Sequence, residues 1–85
     1  MKKKEELEAA ARGEGCIGKS QDDEPIFTLV ARDRFAPAVV RRWADLVEAA
    51  THPNSTGRRK AVEARLFAVE MDAWREAHGG GKVPD

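Results

Sequence analysis

Two stretches of this chain repeat their apolar residues at helical spacing, and a string of turn formers, "THPNSTG" (51–57), stands between them. That pattern constrains the fold more than any other feature, because two amphipathic helices joined by about five to seven residues pack as an antiparallel hairpin. The first stretch, about 37–51, has Val40, Trp43, Val47 and Ala50 on one stripe and Val39 and Leu46 beside it, with Pro37 in its first turn. The second, about 58–78, repeats Ala61, Val62, Leu66, Phe67, Val69, Ala73 and Trp74 at the same spacing, and "GGG" ends it.

Upstream the period changes. "PIFTLVA", 25–31, is β-branched and aromatic, is bounded by Pro25 and the charged "RDR", and predicts a short strand. The fold class expected is therefore mainly α, a small α+β arrangement of one N-terminal strand followed by the two-helix hairpin. Residues 16–78 form the single domain, 1–15 a flexible or helical N-terminal arm, and 79–85 a flexible tail. With 85 residues, one strand and two half-covered helices, the chain is expected to complete its core as a homo-oligomer. Trp43, Phe27, Phe67 and Trp74 are expected in that core.

"GEGCIGKS", 13–20, fits the phosphate-loop pattern GxxxxGK[ST] through Gly13, Gly18, Lys19 and Ser20. A working phosphate loop joins a buried parallel strand to a helix, so that backbone amides and the helix start hold the phosphates together. Here "ELEAAAR" before it is polar and helical, and "QDDEPIF" after it carries acids and Pro25. The glycines are read as a loop, not as a nucleotide hydrolase.

Two basic clusters are the candidate binding residues. Ser55, Thr56, Arg58, Arg59 and Lys60 stand at the start of the second helix, where the unpaired amides already favour an anion. Three cations there cost stability unless something negative binds. Arg32, Asp33, Arg34, Arg41, Arg42 and Trp43 surround the turn into the first helix, and guanidinium with aromatic surface suits a nucleobase and its phosphates. Asp33 could orient an arginine, cap the helix approach or accept from a ligand. Trp43 falls on the apolar stripe, which favours the core over a stacking platform. The clusters lie at opposite ends of the first helix, so one shared site needs a second subunit.

Other chemistry is thin. His52 and His78 have no second histidine or cysteine at ligand spacing, and Cys16 stands alone, so no metal, cofactor or disulfide is expected. No catalytic residue is assigned: Asp22, Asp23 and Glu24 read as solvated loop charge. Fifteen basic against fifteen acidic residues give zero formal charge, which argues against DNA. No apolar run reaches membrane-span or signal-peptide length, so a cytoplasmic setting without a membrane partner is expected.

"CIGKSQDDEPIFTLVARDRFAPAVVRRWADL" (16–46) with "KAVEARLFAVEMDAW" (60–74) resembles a set of short uncharacterised phage and prophage proteins with a pattern like PIFxLxARDxxAPxxVRxWA. Phe27, Arg32, Asp33, Ala36, Pro37, Val40, Arg41 and Trp43 carry it. The resemblance implies the cytoplasm of an infected bacterium and action by binding. The leading expectation is a non-enzymatic, sponge-like protein that sequesters a phosphate-bearing nucleotide signal of bacterial defence. The alternatives are a protein-binding inhibitor of a host factor and a small DNA-binding regulator.

Overall fold

The computed structural model describes residues 1–80, and its elements are four helices: α1 (Lys3–Ala11), α2 (Gly15–Lys19), α3 (Ala36–Ala50) and α4 (Thr56–Ala77). The chain is mainly helical, as the periodicity requires. The expected strand does not form: 24–30 has no regular structure, and Phe27 is 87% exposed. A strand needs a partner for its backbone donors and acceptors, and no strand exists among the described residues to supply one. β-propensity alone describes a fit to a pleated, half-buried surface, which is missing here. Of the tail expected to be flexible, 81–85 lies outside the described residues.

α3 and α4 run antiparallel. Early α3 meets late α4, with Arg41 bonded to Asp72, and late α3 meets early α4, with Glu48 and Thr51 accepting from Arg58. The seam between them is built from small residues. Ala36, Pro37 and Ala44 of α3 and Ala61, Ala68 and Met71 of α4 are buried, and no large side chain is fully buried. Alanines at the contact let two helices approach closely, but they bury little apolar area. The expected core of Trp43, Phe27, Phe67 and Trp74 is thus corrected. In the single chain Trp43 and Trp74 stay 48% and 46% exposed, and Phe67 is half-buried. Side-chain size misleads here because the seam follows 3- and 4-residue spacing through small residues, not through the largest ones.

The ends of these helices are fixed locally. Asp33 Oδ1 accepts from the Phe35 amide at 2.8 Å and the Asp33 carbonyl from Ala36 at 3.1 Å, so Asp33 caps the approach to α3. Ser55 is the N-cap of α4, its hydroxyl accepting from the Arg58 amide at 3.1 Å and donating to the His52 carbonyl at 2.8 Å. Gly57 is required by a close approach: a Cβ there would lie 2.7 Å from Thr51 Cγ2. At the other end of α4, Gly79 takes φ +92 and the Gly80 amide reaches back to the Arg75 carbonyl at 2.8 Å, a Schellman-type stop.

The N-terminal arm is helical. α1 and α2 pack on each other and not on α3 or α4. Gly13 and Gly15 adopt positive φ to reverse the chain between them, and Gly18 packs so tightly that a Cβ would meet the Gly13 carbonyl carbon at 2.8 Å.

Candidate functional site

The phosphate-loop pattern is occupied by structure. Gly15–Lys19 is itself helical, and the Ser20 hydroxyl donates to the Cys16 carbonyl at 2.6 Å. The stretch is thus a five-residue helix that follows α1 directly, not a loop between a buried strand and a helix, and the setting of a phosphate-binding loop is missing. The glycines serve the α1–α2 turn.

The two basic clusters stay apart. Arg58 stands level with the end of α3 and Asp72 level with Arg41, and the 14 residue steps from Arg58 to Asp72 span about 21 Å along α4. At the α4 end, Ser55, Arg58 and Arg59 line one shallow concavity of about 370 Å³ with Pro53, Asn54 and Val62. Thr56 and Lys60 are exposed beside it and do not line it.

Arg58 has a structural task that its position in the sequence conceals. Its Nη2 donates to the carbonyls of Glu48 at 2.8 Å and Thr51 at 3.0 Å, the unpaired end of α3. A cation at a helix C-terminus is favourable, so α3 offsets what the start of α4 costs. The expectation that this charge is uncompensated without a bound anion is corrected for Arg58. Arg59 and Lys60 form no ion pair among the described residues.

At the α3 start, Arg41 is likewise engaged: it donates to Asp72 at 2.7 Å, and Arg75 bonds the other oxygen of the same carboxylate at 2.7 Å. Arg41 foremost, with Arg75, holds the Asp72 carboxyl below its ordinary pKa, against partial burial, which pushes the other way. Arg34 lies 5.6 Å from the Phe35 ring centroid and lends its carbonyl to Arg75 at 3.3 Å. Arg32 and Arg42 are exposed. Nearer the loop, Arg65 bridges Asp45 at 3.0 Å and Glu48, and those bonds raise its pKa.

These pairs all stand on one side of the hairpin. At 100° per residue, Arg41, Asp45 and Glu48 sit on one flank of the α3 seam, and Arg65 and Asp72 on the matching flank of α4. On the opposite side Val39, Trp43 and Leu46 of α3 meet the level of Phe67 and Trp74 of α4. That side carries no ion pair among the described residues. Trp74 also stacks on His78, ring centroids 3.9 Å apart.

A second apolar surface escaped the sequence reading. Val62, Leu66, Val69 and Ala73 line the outer side of α4, turned away from α3, and Leu66 is 66% exposed. The signal was present: the seven apolar positions named on this helix from its sequence fill an arc too wide for a single face. Val62, Leu66 and Val69 point about 80° to 160° away from Phe67 and Trp74.

Among the described residues no group of His, Cys, Asp and Glu is placed to hold a metal ion. No helix among them is long and apolar enough to cross a membrane. Set against family models, curated proteins and solved structures, the chain matches none.

Proposed function

We propose that this chain is a non-enzymatic protein-binding module that lays the outer side of α4 into an apolar groove of another protein. The observation that carries it is the exposed row Val62, Leu66, Val69 and Ala73, spaced i, i+4, i+7 and i+11 on a helix of 22 residues. That spacing is how an amphipathic helix presents its anchors to a groove. Because the seam with α3 is formed by other residues, the row does not hold the hairpin together and is available to a partner. Phage-type inhibition of a host factor is one setting for such a module.

The test compares immobilised wild-type chain with Leu66→Glu. A stoichiometric protein should be retained by the wild type and lost with the variant, while circular dichroism shows both equally helical. Equal capture by both would place the working surface elsewhere.

A second reading, sequestration of a phosphate-bearing nucleotide, is favoured by the shallow concavity at the start of α4, which Ser55, Arg58 and Arg59 line. Arg59 is the cation there whose guanidinium forms neither an ion pair nor a hydrogen bond among the described residues, whereas that of Arg58 is bonded to the end of α3. A nucleotide at 100 times its dissociation constant should add about 2.7 kcal/mol to stability, so a thermal-shift screen with cyclic di- and trinucleotides decides it. No shift with any of them removes this reading.

A further inference from the structure

The side of the hairpin opposite its ion pairs carries an apolar strip without a cover, Val39, Trp43, Leu46, Phe67 and Trp74, beside which α4 presents exposed Lys60, Glu63 and Glu70. Given the register fixed by Arg41 and Asp72, Val39 stands level with Trp74 and Leu46 with Phe67, with Trp43 between them. Neither α1 nor α2 packs on it, and the exposure of Phe27 shows that 24–30 does not dock its aromatic ring there.

We propose that a second copy of this chain covers this face, making a two-fold four-helix bundle. The contact is separate from the outer α4 row, so it stands or falls independently of the protein-binding reading. Three observations name the occupant. The hairpin buries only alanines, Pro37 and Met71, which leaves its large side chains to be covered by association.

The area is also right. Covering half-exposed Trp43 and Trp74 removes roughly 75–125 Å² each, and Val39, Leu46 and Phe67 bring the total to on the order of 400 Å² per copy. A standard interface of about 800 Å² per partner is a little over half apolar, which is the same apolar area. Finally, the chain has zero formal charge, and its acidic and basic partners on the hairpin pair on the other side. Two copies meet without net repulsion and desolvate no ion pair. The apolar strip is shared by both helices, with Lys60, Glu63 and Glu70 exposed along its α4 side, and such a strip can pack on its own copy under a two-fold axis.

The full chain reports on this contact without alteration, because Trp43 and Trp74 are its two tryptophans and both lie on the face. Sedimentation should show a dimer at high micromolar concentration, and dilution to monomer should shift tryptophan emission to the red. Leu46→Glu should weaken dimerisation at least about 100-fold with helicity retained, whereas Val69→Glu on the far side of α4 should leave it unchanged. A wild-type chain that stays monomeric throughout overturns the proposal. So does a dimer whose dissociation leaves the emission unmoved, or one that Val69→Glu dissolves. If Leu46→Glu fails to fold, the emission of the wild type on dilution still decides.

Discussion

Arg58 and Arg59 are neighbours in sequence with opposite roles. The Arg58 guanidinium closes the end of α3 from the start of α4, whereas Arg59 is exposed. Arg58→Gln should therefore cost about 1–3 kcal/mol, lowering the thermal midpoint by several degrees, while Arg59→Gln leaves it nearly unchanged. Equal midpoints for the two variants would contradict the capping role. Asp72 gives a pH signature. Its folded pKa is depressed, so its contribution to stability is fully present above the ordinary carboxylate pKa of about 3.9 and disappears as pH falls through the lower folded value. The stability difference between wild type and Asp72→Asn should be flat from about pH 7 to 5 and shrink below about pH 4. A difference that grows on acidification would show that the carboxylate is not held by Arg41 and Arg75.

At the level of elements, both long helices and their antiparallel course are legible in the sequence, because Pro37 and the glycines after His78 mark their ends chemically, whereas Ser55, expected among the binding residues, is the N-cap of α4, which starts at Thr56 and not at about 58. The strand at 25–31 was misread because composition reports a preference and not a partner. The stretch "GEGCIGKS" shows a related ambiguity: the glycines that would bring a backbone near a phosphate also allow two short helices to touch. Gly18→Ala should separate α1 from α2, since its Cβ would meet backbone and not a flexible side chain. Amide exchange should rise across α1 and α2 and stay unchanged in α3 and α4, which make no contact with them. Protection lost throughout the chain would mean that the arm supports the hairpin.

For the whole molecule, the apolar residues were legible but not their allocation to surfaces. Trp43, Leu66 and Trp74 stand at helical spacing like core residues, yet the buried positions belong to Ala44, Ala61 and Ala68. Deciding which of several stripes becomes the seam depends on how closely two backbones approach, and alanine at every third or fourth position permits an approach that hydrophobicity does not register. The two basic clusters stand apart along the hairpin, and Arg41 and Arg58 are tied to Asp72 and to the end of α3 by contacts 31, 10 and 7 residues away in sequence. The central claim is that small residues hold the hairpin together while large ones face outward to be covered by others. It is tested most directly by unfolding Leu66→Gln and Ala68→Leu side by side with the wild type. Leu66→Gln should change stability by no more than about 0.5 kcal/mol, whereas Ala68→Leu should cost about 1–3 kcal/mol by overfilling the seam. A chain destabilised by losing Leu66 and indifferent to enlarging Ala68 would contradict it.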